Sequence, residues 1–224
     1  MMTNKNKIII AIDGPAGAGK STVAKKLAKA LKYVYIDTGA MYRAITYKIL
    51  KNNIDLNNEF QLKTLLQNTV LTYENENLCL DGLKLGKEIR SNEINANVSR
   101  VSSNGLVREL MTGFQREIGQ KQSCILDGRD IGTAVFPNAD IKIFLIADSK
   151  MRAQRRYDEN LQKGIESSLE DIEKNIVERD KLDSTRKIAP LLKADDAVEI
   201  DTSNITVDEV IENIMKIYLE KTNV

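Results

Sequence analysis

The chain contains no histidine. That absence removes the usual general base near neutral pH and the commonest transition-metal ligand. Cysteine is almost absent as well. Cys79 and Cys124 stand far apart and fit no metal-ligand spacing, so they read as small buried hydrophobes, and nothing implies an oxidising compartment. No charge sign is in excess: 33 Lys+Arg stand against 32 Asp+Glu, which argues against a nucleic-acid-binding surface. An anion site must therefore come from local placement of arginines. Long apolar runs are also missing. The N-terminal Met-Met-Thr-Asn-Lys-Asn-Lys leads into only five apolar residues, Ile8 to Ile12, too few for a signal or membrane segment. A cytoplasmic protein with no membrane partner is expected. There is no internal repeat and no low-complexity linker. At 224 residues the chain reads as one large domain, or a core with small insertions.

What is present starts with that apolar run. Ile8 to Ile12 leads through Asp13 into Gly14-Pro15-Ala16-Gly17-Ala18-Gly19-Lys20-Ser21-Thr22, and a helical pattern follows at once. The run suits a strand buried on both faces of a parallel sheet. The glycines let the backbone curl so that several N–H groups point at one anion, reinforced by the helix N-terminus. Lys20 can reach the outer phosphates of a nucleotide, and the Ser21 hydroxyl can ligate Mg²⁺. A chance glycine-rich turn would match the letters but not the strand before and the helix after.

Apolar residues then alternate between two periods. Val23, Leu27, Ala30 and Leu31 predict a helix of about three turns. Tyr33 to Ile36 reads as a second buried strand, and Asp37-Thr38-Gly39 opens a helix with Met41, Ile45 and Ile49 on one face. Phe60, Leu62, Leu65 and Leu66 predict another short helix. Between 69 and 86, three short strand-like runs (Thr69 to Tyr73, Asn77 to Leu80, Leu83 to Leu85) are split by Glu74-Asn75-Glu76 and by Asp81-Gly82, a strong hairpin signal. This small meander is expected to fold back on neighbouring helices. Helices resume with Ile94, Val98 and Val101, then with Val107, Leu110, Met111, Phe114 and Ile118. Strands follow at Ser123 to Leu126, Ile141 to Ala147 and Ala197 to Ile200. Between and after them come a charged helix from about Lys150 to Gln162, one near Ser168, and a last one opened by the capping box Thr206-Val-Asp-Glu209, burying Val210, Ile211, Ile214 and Tyr218. The fold class is therefore α/β: a five-stranded parallel sheet with helices on both faces.

In such a sheet, ligands sit beyond the carboxyl ends of the strands. Those ends deliver Asp13, Asp37-Thr38-Gly39 and Asp127-Gly128-Arg129-Asp130, which are expected to converge on one crevice. Asp127 stands where a P-loop enzyme holds Mg²⁺ directly or through water, although a structural acid capping the next turn fits the same position. Arg152, Arg155 and Arg156 share a helix face by spacing, as do Arg179, Asp183 and Arg186. Spacing alone favours a solvated helix laced with weak ion pairs. Phosphoryl transfer shifts that reading, because charge spread over two phosphates needs bidentate arginine forks and no histidine.

Four motifs then carry a resemblance. Gly14-Pro-Ala-Gly-Ala-Gly-Lys-Ser21, Asp37-Thr-Gly-Ala-Met-Tyr-Arg43, Gly128-Arg-Asp-Ile-Gly-Thr133 and Glu178-Arg-Asp-x-x-Asp-x-x-Arg186 occur in the order and spacing of the bacterial cytidylate kinases. The chain resembles that family from about Ile8 to Tyr218. The first motif is shared with many NTPases; the other three are more specific. The resemblance implies ATP-dependent phosphorylation of CMP and dCMP. It implies that Gly14 to Thr22 hold MgATP, with Ser21 and Asp127 toward the metal. Arg43, Arg129 and Arg186 would clamp the acceptor phosphate, and Ser99, Arg108 and Asp130 would read cytosine. Arg179 and Asp183 would hold the sugar. Thr38 stands where the family more often has serine, which keeps the hydroxyl. A monophosphate-binding subdomain over about 39–103 would contain the β insert, and a helical lid over about 150–166 would bring Arg152, Arg155 and Arg156 to ATP. Lys20, Arg129 and Arg186 would stabilise the transferring group. Asp130 could instead only brace its neighbour Arg129. The partners expected are small molecules, with no nucleic acid and a monomeric protein. The rival readings are the same fold acting on another acceptor, such as a different nucleotide or shikimate, and a GTP-binding switch. The missing Asn-Lys-x-Asp guanine-reading motif weighs against the switch.

Overall fold

The computed structural model describes residues 7–74 and 77–222. Part of the expected Glu-Asn-Glu turn, residues 75–76, lies outside the described residues, as do residues 1–6. In chain order the first elements are β1 (Ile9–Asp13), α1 (Lys20–Leu31), β2 (Val34–Asp37), α2 (Thr38–Lys51) and α3 (Glu59–Gln67). A meander of β3 (Leu71–Glu74), β4 (Asn77–Leu80) and β5 (Leu83–Lys84) leads into α4 (Asn92–Ser102) and α5 (Gly105–Lys121). The rest comprises β6 (Cys124–Asp127), β7 (Ile141–Ile146), α6 (Ser149–Gln162), α7 (Leu169–Thr185), β8 (Val198–Asp201) and α8 (Val207–Thr222). A 3₁₀ turn at Lys87–Arg90 and a π-helical turn at Ile131–Val135 were not legible in the periodicity. The chain divides into two compact units, residues 1–36 with 122–224 and residues 37–121.

The larger unit is built on a parallel five-stranded sheet in the order β2-β6-β1-β7-β8. The register sets Ile12 beside Asp127 and Asp13 beside Phe144, so the polar residues that end β1 and β6 lie at the same edge. Central strands of a parallel sheet are covered on both faces, which is why β1, β6 and β7 read as unbroken apolar runs. Ile10, Ile12, Leu27, Ile125, Ile141, Leu145 and Ile214 pack into one core cluster, each at no more than 1% exposure. Each such side chain contributes about 1.5–3 kcal/mol relative to an exposed one. The inward stripe of α1 is Val23, Ala24, Leu27 and Ala28; Ala30, expected inside, is exposed because the stripe turns away one position earlier. The capping box of α8 forms in both directions: Thr206 N donates to Glu209 Oε2 at 2.7 Å and Glu209 N to Thr206 Oγ1 at 3.3 Å.

The smaller unit is helical with an antiparallel sheet in the order β3-β4-β5. Asp81 and Gly82 both take positive φ, 51° and 79°, as a two-residue hairpin requires. Leu71, Leu78 and Leu80 of the meander are buried, and Lys48 of α2 pairs with Asp81 at 2.6 Å, so the insert does rest on a neighbouring helix. Two expectations need correction here. Phe60 is 80% exposed while Leu62, Leu65 and Leu66 are buried, because Phe60 lies in the first turn on the outer side of α3. On α5 the deepest stripe runs through Val107, Met111, Gln115 and Gly119, and Leu110, Phe114 and Ile118 are only half-buried.

Candidate active site

In the larger unit the loop after β1 is held by steric necessity. Gly14 has φ 143°, and a Cβ there would lie 2.1 Å from the Leu145 carbonyl oxygen. Only glycine fits so close to a neighbouring strand. Gly19, left-handed at φ 86°, then starts α1 with no side-chain cap and no acid in the first turn. The first N–H groups of a helix are thereby left for an anion. Lys20 is buried and donates from Nζ to the Pro15 carbonyl at 2.7 Å. Burial holds its ammonium well below the ordinary lysine value, and the nearby Arg129 guanidinium adds to this.

Ser21 and Asp127 meet across the sheet edge. Ser21 Oγ donates to Asp127 Oδ2 at 2.6 Å, and Tyr35 OH donates to Asp127 Oδ1 at 2.9 Å. A hydroxyl beside a carboxylate is a hard-oxygen donor set of the kind Mg²⁺ takes alongside phosphate oxygens and water. Among the described residues no cluster of three or more His, Cys, Asp or Glu forms a protein-only cage. Tyr35 was not singled out from sequence; only the pairing of β2 with β6 brings it to Asp127.

The arginines pair differently from the expectation. Asp183 takes its close bond from Arg129, whose Nε donates to Oδ2 at 2.9 Å, whereas Arg179 of the same helix stays 4.0 Å away. Asp130 pairs with Arg186, whose Nη2 donates to its Oδ1 at 3.0 Å, and both side chains are 6% exposed. Two cross-linked pairs thus tie the turn after β6 to the end of α7.

The three arginines of α6 do not share one environment. Arg152 is buried, donating to the Ala16 carbonyl at 2.9 Å and pairing with Asp180 at 2.5 Å. Asp180 also accepts from Ala16 N at 3.1 Å, so this carboxylate holds the phosphate loop directly. Arg155 binds Thr202 through both its hydroxyl and its carbonyl, and Thr202 Oγ1 donates on to Ala18 O at 3.3 Å. Arg156 is exposed and pairs with Glu159. Asp180 and Thr202 were missed from sequence because only tertiary contact ties them to the loop.

The smaller unit holds two further groups. Asp37 caps α2 by accepting from Ala40 N at 2.7 Å, and its other oxygen lies 3.4 Å from Arg43 and 3.6 Å from Arg90. Thr38 beside it is buried. Arg108 of α5 is buried at 4% exposure, donates to the Ser102 carbonyl at 3.2 Å and lies 5.6 Å over the Tyr42 ring. Ser102 Oγ in turn donates to the backbone carbonyl of Ser99 at 3.0 Å. Both cysteines are free and buried. Burial pushes the Cys124 thiol up to about 12, which makes it inert at neutral pH.

Comparison with known proteins bears on the chain as a whole. A family model described as cytidylate kinase matches residues 10–220. A cytidylate kinase from Alkaliphilus oremlandii is 53% identical over 208 residues, covering 93% of this chain and 96% of that protein. One from Anoxybacillus flavithermus is 49% identical over 221 residues, covering 97% and 98%. Among solved structures, an uncharacterised protein from Eubacterium ventriosum superposes with a TM-score of 0.54 at 17% identity, covering 96% of this chain and 99% of that one. A shikimate kinase from Bacteroides thetaiotaomicron superposes at 0.51 with 12% identity, covering 94% and 98%. At such identities these structures speak for the fold alone. The sequence matches, nearly full-length and near 50% identical, show that the chain belongs to the cytidylate kinase family.

Proposed function

We propose that the protein transfers the γ-phosphoryl group of ATP to CMP and dCMP, giving CDP and dCDP. The observation that carries this reading is the cluster at the sheet edge, where buried Lys20, the Ser21–Asp127 pair and the Arg129–Asp183 and Arg186–Asp130 pairs, each with a buried carboxylate, occur without any histidine. Phosphoryl transfer is a reaction that positioning and electrostatics can accelerate without a protein base.

In this reading the loop from Gly14 to Thr22 cradles the ATP phosphates, and Lys20 stabilises charge on the transferring group. Bound Mg²⁺ would supply charge neutralisation at the phosphates, with Ser21 and Asp127 as its oxygen partners on the protein. Arg43, Arg129 and Arg186 hold the acceptor phosphate, whose ionised oxygen is the nucleophile. Ser99, Arg108 and Asp130 read the cytosine edge, and Arg179 with Asp183 holds the sugar. Thr38, with its hydroxyl, belongs to the acceptor's set. Cytosine offers an amino donor where uracil offers a carbonyl, so a carboxylate at that position favours cytosine. Segment 150–166 acts as the lid that excludes water and brings Arg152, Arg155 and Arg156 to ATP, Arg152 being already bound to Ala16 of the loop. The enzyme works as a cytoplasmic monomer. Among the described residues no helix is long and apolar enough to cross a membrane.

The test is a coupled assay with ATP across the nucleoside monophosphates and shikimate. Rapid turnover only on adding CMP or dCMP is expected. Turnover with another acceptor alone would move the reading to that acceptor, and turnover with none would leave it unsupported.

A further inference from the structure

One buried charge is unused by the phosphate-transfer reading. Asp13, the last residue of β1, is 4% exposed. Its two carboxylate oxygens accept one backbone N–H each: Oδ1 from Ile131 at 2.9 Å and Oδ2 from Gly132 at 2.7 Å. Those two amides open the π-helical turn Ile131–Val135, which follows Arg129 and Asp130 without a break. The turn bonds back onto the same place, since Ala134 N and Val135 N both donate to the Asp130 carbonyl. Gly132 is packed so closely that a Cβ there would lie 3.2 Å from the Lys142 side chain and 3.5 Å from Asp13 Oδ2. One carboxylate therefore joins the residue before the phosphate loop to the turn that carries Arg129 and Asp130.

We propose that Asp13 is a positioning residue for the acceptor side of the site, setting Arg129 and Asp130 in register with the phosphate loop. The chemistry explains why an ionised carboxylate stands there. Each of the two converging N–H donors has its own oxygen here, and among side chains only Asp or Glu supplies two acceptor oxygens. Asparagine would turn an NH₂ group toward one of the two amides, and serine would offer both a single oxygen. The charged groups facing Asp13 are Asp130, which together with burial disfavours ionisation, and Lys20, which favours it. Burial pushes the carboxyl up to about 6, while the two amide bonds oppose that rise. At neutral pH the ionised, doubly accepting form predominates.

This inference rests on the proposed roles of Arg129 and Asp130, and a double-mutant cycle separates the two. Asp13→Asn, Arg129→Ala and the double variant are compared in kcat/KM for CMP, with MgATP affinity measured by equilibrium titration. Asp13→Asn is expected to lower kcat/KM for CMP by about 100-fold and to change ATP affinity by less than about threefold. If Asp13 acts through the turn, the double variant falls no further than the worse single variant. Multiplying losses, or an equal loss of ATP affinity, would overturn the proposal, because either means that Asp13 supports the fold or the phosphate loop instead. If Asp13→Asn does not fold, Asp13→Ser takes its place in the same cycle, with the same outcomes deciding. If wild-type protein does not use CMP, the functional reading fails on its own, and the cycle is run with whichever acceptor the screen identifies.

Discussion

Among the described residues the larger unit buries Asp13, Lys20, Asp127, Asp130, Lys142, Arg152 and Asp183, whereas the smaller unit buries a single charged side chain, Arg108. The contrast follows from architecture. A parallel sheet gathers the carboxyl ends of its strands on one edge, and the polar residues that end them are desolvated together. Each then needs a partner: Asp183 has Arg129, Asp130 has Arg186, and Lys142 has Asp196 at 2.8 Å. The smaller unit instead closes amphipathic helices over Met41, Ile45, Leu62, Val98 and Met111. Arg108 is the exception there, held on a carbonyl and a tyrosine ring. Substitutions in the larger unit should therefore read out as charge left without its partner or function lost. In the smaller unit they should read out as volume.

The sharpest break in that contrast is Lys20→Ala. Turnover should fall by about 10³-fold or more, while the variant still folds and unfolds cooperatively without ligand. Near wild-type turnover would remove Lys20 from the chemistry. A second measurement uses the sign of its shift. The folded chain releases the Lys20 proton below the ordinary value of 10.5, so between the two values the unfolded chain holds more protons. Stability therefore rises with pH in that window, by at most about 1.4 kcal/mol per pH unit. Chemical unfolding across an alkaline series should show this slope in wild type and a flatter one in Lys20→Ala.

Next in size is Asp183→Ala, which leaves Arg129 with an uncompensated charge in a setting only 18% exposed. A loss of about 2 kcal/mol in denaturant unfolding is expected, below the range for fully buried pairs because water reaches the arginine. Kinetically, use of CMP should weaken with little change in ATP affinity. Equal losses for both substrates would mark a folding defect. A smaller effect of opposite sign belongs to the smaller unit. Gln115 is 1% exposed, and neither atom of its amide has a partner among the described residues. Gln115→Met should stabilise the protein by about 1 kcal/mol, since an unpaired buried amide costs more than an apolar group of the same length. A destabilised variant would break the contrast drawn between the units. Smallest of all, Lys26→Ala removes an ion pair with Asp208 whose side chains are 52% and 79% exposed. It should shift stability by less than about 0.5 kcal/mol.

Local physics made most elements legible in the sequence. The phosphate loop, the Asp81-Gly82 turn and the Thr206/Glu209 box are decided by residues within a few positions of one another, and periodicity placed the five sheet strands to within a residue or two. Partnerships over long separations were another matter. Helical spacing put Asp183 with Arg179, yet its close partner is Arg129, 54 positions away, and Asp130 answers to Arg186 across 56. No local pattern reports such pairs, because strand order and the packing of α7 create them. The same holds for Arg152, whose spacing with Arg155 and Arg156 suggested one face although it turns onto the phosphate loop. Phe60 misled for a simpler reason: at the start of a short helix, an apolar letter says little about which side faces inward.

The order of the sheet has a consequence for how the chain is made. β1 is the first strand in sequence, yet its neighbours are β6 and β7, and the bond from Ile8 N to Ser123 Oγ spans 115 positions. A chain emerging from its N-terminus completes residues 37–121, whose unit lies within that single stretch, before β1 has any partner to pair with. Domains form as units during synthesis, and distant pairings come late. Ile8 to Ile12 therefore stays unpaired through most of translation, as an apolar segment of high β-propensity. Its brevity is one safeguard. Lys7 and Asp13, the charges that bracket it in sequence, are the other, since flanking charges hold such segments back from joining one another before β6 arrives.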